Sequence, residues 1–235
     1  MKKRLFYFFL AFPVCLLMIP SPAKASTDAP KPAPQVERVQ KAVEVCKELI
    51  GLPEEGIPEA LLHKSQAIAI MPGVFKAAYI VGGEHGKGVL MVRHENGTWS
   101  YPVFISMTGG SFGFQIGAQK ADIILVFKDR KSAETMTKGK FTLGGDASVA
   151  VGPVGRAAEA STDIKFEAEV YSYSKAKGLF AGVSIKGASI SIDKDSNASF
   201  YRSFDLTADE ILNRPDLKAP EVAQELRNLL AEYAK

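Results

Sequence analysis

Apolar residues first recur at helical spacing from Val36: Val36, Val39, Val43, Cys46 and Ile50 share one face, with Glu37 and Lys41 paired i,i+4 on the other. The pattern predicts an amphipathic helix ended by Gly51-Leu52-Pro53. Its polar face from Glu37 to Glu48 sets three acids against three bases and has no aromatic anchor, which favours packing on the protein's own sheet over lying on a membrane. A second, short helix is expected over Pro58 to Ser65. The spacing then shortens to that of strands, at Ala67 to Met71, Val74 to Val81, Gly88 to Arg93 and Trp99 to Met107. The segments Gly82-Gly83-Glu84-His85-Gly86 and Glu95-Asn96-Gly97 separate them, and Asn-Gly is a hairpin signal. Further strands are expected at Ser111 to Gly117, Ile123 to Phe127, Phe141 to Val151, Ile164 to Tyr173, Leu179 to Ile192 and Ala198 to Phe204. One helix, Lys131 to Lys138, interrupts them. The C-terminus returns to helix through the capping box Thr207-Ala208-Asp209-Glu210. Pro220 then starts a helix with Val222, Leu226, Leu229, Leu230 and Tyr233 on one face.

The run Tyr171 to Asp193 shows how curved the sheet must be. From Leu179 the face Leu179, Ala181, Val183 and Ile185 alternates with Phe180, Gly182, Ser184 and Lys186; after Gly187 the parity flips to Ala188, Ile190 and Ile192. A β-bulge at Lys186-Gly187 in one long bent strand produces such a slip, and so do two strands joined by a tight turn. Seventeen of the twenty glycines lie between Gly82 and Gly187, many inside strand-like runs, which calls for bulges, curvature or close approach of another backbone. The fold class is therefore α+β: a mainly antiparallel, strongly curved β-sheet, barrel-like or sandwich, flanked by N-terminal and C-terminal α-helices.

Composition then divides the chain. The first 25 residues hold a basic start (Lys2, Lys3, Arg4), an apolar run from Leu5 to Ile19 and the A-x-A site Ala23-Lys24-Ala25, the three parts of a secretory signal. The run is 15 residues and contains Pro13, whereas a spanning helix needs about 20. Cys15 lacks the small preceding residues of lipoprotein processing. The expected organisation is a signal peptide over 1–25, a proline-rich tether over 26–34 and a single domain over 35–235, with a periplasmic or secreted product after cleavage near Ala25. The formal charge of +3 comes from the signal, since 25 basic and 26 acidic residues remain beyond it. A mature chain so nearly neutral argues against nucleic acid as a partner. Cys46 alone survives cleavage, which precludes an internal disulfide in the monomer and suits a buried apolar thiol.

Catalytic patterns fail on their surroundings. Gly109-Gly110-Ser111-Phe112-Gly113 matches G-x-S-x-G, but that motif needs a helix after the serine, and here Phe112, Phe114 and Ile116 alternate as in a strand. His63, His85 and His94 all precede Ser111, against the order of that fold, and lack helical metal-site spacing; His85 and His94 read as solvated turn residues. Gly86-Lys87 and Gly139-Lys140 lack the rest of a phosphate loop. No catalytic residue, metal or cofactor is expected. One charge feature stands out: Lys120, Lys128, Arg130, Lys131, Lys138 and Lys140 against Asp122, Asp129 and Glu134, a local net of +3. With Lys175 and Lys177 these would attract anions if the loops meet at one end of the sheet, the alternative being an ordinary solvated helix.

Several ordered blocks resemble the SYLF domain family, the lipid-binding module of yeast actin-patch regulators and of plant and animal endosomal proteins. They are Gly86-Lys87-Gly88-Val89, Trp99-Ser100-Tyr101-Pro102, the run from Gly109 to Gly117, Gly144-Gly145-Asp146-Ala147-Ser148 to Gly155-Arg156, and Tyr171-Ser172-Tyr173-Ser174 with Lys177 to Ser184. The resemblance covers about Val36 to Phe204. It implies a non-enzymatic domain that binds phospholipids, with phosphoinositide and actin binding described for eukaryotic members. This chain shows no SH3 or FYVE partner domain, and its export signal puts cytosolic actin out of reach. The expectation is an exported phospholipid-binding module of the bacterial envelope, with an anionic phospholipid or membrane surface as partner. The candidate lipid-facing residues, chosen on charge, are Lys128, Arg130, Lys131, Lys138, Lys140, Lys175 and Lys177. The alternative is a structural protein docking an envelope partner, with no lipid role.

Overall fold

The stripe that begins at Val36 forms helix α1, Pro34–Ile50, which buries Val39, Ala42, Val43, Val45, Cys46 and Ile50. It lies on the first two strands and against the C-terminal helix, so its apolar face packs on the protein's own sheet. The computed structural model describes residues 32–50, 56–79, 81–112, 117–153, 167–176, 179–181 and 185–234. The expected signal and most of the tether, the break at Gly51-Leu52-Pro53, Gly155-Arg156 and Lys177 lie outside these residues.

After α2, Glu59–Lys64, come β1 (Ala67–Tyr79), β2 (Val81–Val92) and β3 (Val103–Phe112), an antiparallel meander, and β4 (Gly117–Phe127), which returns to pair antiparallel with the other edge of β1. Helix α3, Arg130–Thr137, leads to β5 (Phe141–Thr142), β6 (Val149–Val151), β7 (Val170–Ala176), β8 (Leu179–Ala181) and β9 (Ser189–Ile192). Helices α4 (Lys194–Tyr201), α5 (Ala208–Asn213) and α6 (Glu221–Tyr233) close the chain. The nine strands make one sheet in the order β5-β9-β3-β2-β1-β4-β7-β6, with β8 on β7. All pairs are antiparallel except β6 with β7.

The sheet is strongly curved, a half-barrel. Five strand spacings separate β4 from β5, about 24 Å in a flat sheet. Yet the Phe127 and Phe141 rings lie 6.2 Å apart. Ala133 and Met136 of α3 are buried in the same core, and Ala67 to Met71 and Ile123 to Phe127 are buried at every position. Continuous apolar runs in β1 and β4 therefore mark strands covered on both faces. The α+β class with a curved, mainly antiparallel sheet and terminal helices is the one expected.

Two glycines show what the curvature requires. The strands expected over 67–71 and 74–81 join, as far as Tyr79, into one strand with a bulge, while Val81 opens β2: the register of β1 against β4 shifts between Met71 and Val74. There Gly73 adopts φ +61° and donates its N–H to Asp122 Oδ1 at 2.7 Å. A side chain at Gly88 would meet the Ile70 carbonyl oxygen at 2.2 Å. The Asn96-Gly97 turn forms as expected, with Gly97 at φ +81°.

Several expectations are corrected. Gly82 to Gly86 continue β2 rather than forming a turn, because each pairs with β3. Phe141 to Val151 divide into β5 and β6 around Gly144 (φ +82°). Ala198 to Phe204 do not form a strand. Asp193 accepts one bond from the Ser196 N–H and one from its hydroxyl and caps α4, and the buried Asn197, Phe200 and Tyr201 anchor that helix. Nor do Leu179 to Ile192 form one bent strand, since β8 pairs with β7 and β9 lies between β5 and β3, across the sheet. Lys186-Gly187 is a turn, closed by Ala188 N–H to the Ile185 carbonyl at 3.0 Å and with Gly187 at φ +89°.

Candidate functional site

Helix α3 organises the basic segment. Asp129 caps it, accepting from the Lys131 amide at 3.2 Å, the Ser132 amide at 2.8 Å and Ser132 Oγ at 2.8 Å. Burial opposes the ionisation of this carboxyl, but the Ser132 and Lys131 bonds and the nearby ammonium outweigh it and hold the carboxyl below its ordinary value. The helix buries Ser132, Ala133 and Met136 and turns Lys131 and Glu134 outward. Arg130 bonds Glu134 at 3.0 Å, neutralising the one acid on that face. Lys131, Lys138 and Lys140 are exposed, while Lys128 is half-buried at the helix entrance, its amide bonded to the Glu169 carbonyl.

Lys175 does not join them. It stands opposite Asp122, whereas Phe127, adjoining Lys128, pairs with Val170. Five residue steps along a strand are about 17 Å. Lys175 also pairs with Glu48 of α1 at 3.0 Å, which ties the N-terminal helix to the sheet. The structure thus unites Lys128, Arg130, Lys131, Lys138 and Lys140 around one helix and leaves Lys175 as a link elsewhere.

The local pattern of the sequence did not reveal that His94 comes within electrostatic reach of both Arg130 and Arg227. His94 lies in the β2–β3 turn and titrates below its ordinary value, through burial first and then through Arg130 and Arg227. Arg227, on α6, donates to the Trp99 carbonyl at 2.8 Å and lies 4.2 Å from the centre of the Tyr101 ring. Its 97-residue separation from Arg130 left no signal of proximity. Near the other end of α3, a cleft of about 540 Å³ opens between Lys138, Ile192, Lys194 and the 204–209 segment.

The catalytic patterns find no site. Ser111 lies within β3 opposite Gly82, and the next described element is the strand β4. Among the described residues no three His, Cys, Asp or Glu side chains gather as metal ligands. His85 is an exposed residue of β2 rather than of a turn. Burial pushes the Cys46 thiol well up, leaving it inert. No described helix is long and apolar enough to cross a membrane.

Residues 108–233 match the Ysc84 family model, described as "Las17-binding protein actin regulator". The chain is 34% identical over 212 residues to an SH3 domain-containing YSC84-like protein 1 of Xenopus laevis, covering 88% of this chain and 63% of that one. The Homo sapiens protein of the same name is 32% identical over 212 residues, covering 88% and 61%. Protein YSC84 of Saccharomyces cerevisiae is 34% identical over 184 residues, covering 77% and 39%. The chain therefore spans less than two thirds of these relatives' length.

Proposed function

The chain belongs to the Ysc84 (SYLF) domain family, and from that membership we propose that it is a non-enzymatic module that associates with phospholipid membranes, on a chain exported to the bacterial envelope. The carrying observation is the outward side of α3, where Lys131, Lys138 and Lys140 are exposed and Glu134 is neutralised by Arg130. Each Lys or Arg held near an anionic surface contributes about 1 kcal/mol, an attraction that falls off within a Debye length. Export is supported by the basic start, the apolar run to Ile19 and Ala23-Lys24-Ala25.

The test is flotation of the protein with vesicles of phosphatidylglycerol and of phosphatidylcholine. The reading expects binding to the first that weakens with salt and disappears in the triple variant Lys131→Glu, Lys138→Glu, Lys140→Glu, but survives Lys175→Glu. Absent binding, or equal binding to both vesicles, defeats it. The family description favours a second reading, docking to a protein partner. Co-sedimentation with actin filaments, together with no flotation, would support that reading instead.

A further inference from the structure

We propose that the cleft beside α3 receives the zwitterionic phosphoethanolamine headgroup of a bilayer lipid while Phe204 enters the membrane next to it; this rests on the membrane reading above and names the lipid class. Phe204 is 94% exposed, far more than the other large apolar side chains exposed among the described residues, Phe75 and Val151. Isolated apolar side chains on a surface are ordinary. What distinguishes Phe204 is its mounting and its neighbours.

The mounting is fixed on both sides. Helix α4 ends at Arg202 in the left-handed region (φ 54°), with the amides of Arg202 and Ser203 both bonded to the Ala198 carbonyl. Three residues beyond Phe204, the Thr207–Glu210 capping box starts α5. The phenyl ring therefore projects from a short corner between two capped helices, which limits the entropy lost when it is buried against a partner.

The neighbours carry both charges. Lys138 and Lys194 line the cleft together with Asp205 and Asp209, over Ile192 and beside Phe204. Among the described residues, Lys138, Lys194 and Asp205 form no ion pair, and Asp209 Oδ1 accepts only from Asn213, at 3.1 Å. Two ammonium groups and two carboxylates cancel, so the cleft is not a site for a purely anionic group. They complement a ligand that is itself both anionic and cationic: phosphate to the lysines, primary ammonium to the aspartates. A volume of about 540 Å³ is in the range of ligand clefts, about 300–1,000 Å³. The exposed ring selects the membrane-borne headgroup, because it gains only where an apolar phase adjoins the cleft.

The test uses vesicles with a constant fraction of phosphatidylglycerol and the remainder either phosphatidylcholine or phosphatidylethanolamine. Phosphatidylethanolamine is expected to tighten binding, and Asp205→Asn with Asp209→Asn to remove that gain while leaving the phosphatidylglycerol-dependent binding. Phe204→Ala, at a site with no packing to lose, should weaken partitioning about tenfold. Phe204→Trp should give a blue-shifted emission with vesicles, above the constant signal of the buried Trp99. Equal binding with both remainders, or no shift in the Phe204→Trp protein, overturns this inference while the membrane reading stands. Loss of all vesicle binding defeats the membrane reading itself. A shift that grows with protein concentration without vesicles assigns Phe204 to contact with a second copy and also overturns the proposal.

Discussion

Replacing Gly88 with alanine isolates the cost of bringing two backbones together at the bend of β1. The added Cβ would lie 2.2 Å from the Ile70 carbonyl oxygen, 2.6 Å from Met71 Cγ and 2.9 Å from the Ile70 carbonyl carbon. The first contact is roughly 1 Å inside van der Waals distance. Two of the three atoms are backbone in the β1–β2 ladder, where Ile70 pairs with Val89, so relief requires moving a strand rather than rotating a side chain. Overpacking of this kind costs about 3 kcal/mol, the upper end of its ordinary range. For a domain of this size that lowers Tm by about 6–12 °C. Gly83→Ala is the matched control on the same strand, because its Cβ would meet nothing within 4 Å. Thermal unfolding followed by circular dichroism reads both variants. If they unfold within a degree of each other, the close approach at Ile70 is not what requires glycine at position 88.

Three further outcomes follow from the packing of the C-terminal half. Asn197 Oδ1 accepts the Phe104 amide at 2.8 Å in a buried position, whereas the Phe104 carbonyl has a second donor in the Asp193 amide; Asn197→Ala should therefore orphan one N–H and cost about 2 kcal/mol in urea unfolding. Thr207→Ala removes the cap of α5 and should cost about 1 kcal/mol, with Thr207→Ser close to the unmutated protein in the same assay. Asp193 is held below its ordinary value: burial raises it, but the bonds from Lys87 and Ser196 and the Lys87 charge outweigh that. Its contribution is complete above the ordinary carboxylate value, about 4, and is lost as pH falls through the lowered folded value. Acid titration of Asp193→Asn should show a shallower fall below about pH 4; an unchanged acid limb would show that Asp193 contributes nothing there.

Much of the fold was legible in the chain because it depends on local periodicity. The α1 stripe, the Asn96-Gly97 turn, the Thr207–Glu210 box and the face of α6 each lie within one or two turns of chain, where side-chain spacing and conformation coincide. Errors arose where distant contacts overrode that pattern. Gly82 to Gly86 resemble a turn in composition but pair with β3, and Ala198 to Phe204 alternate weakly like a strand yet are folded into helix by Asp193 and Asn197. The candidate surface divides in the same way. The cations at 128–140 fall together because α3 and its flanks carry them. The separation of Lys175, the approach of Arg227 and His94, and the corner that displays Phe204 depend on where elements far apart in sequence come to rest.

By itself, then, the sequence determined the type of most elements, the α+β class and the kinship with SYLF domains, since hydrophobic spacing, capping residues and ordered glycine blocks are properties of the chain. Only the tertiary structure decided that β8 and β9 lie across the sheet from each other and that the basic helix adjoins a mixed-charge cleft. The reason is physical: strand order and the curvature that brings Phe127 to Phe141 come from satisfying backbone pairs and burying both faces of β1 and β4, conditions met only by the whole sheet at once.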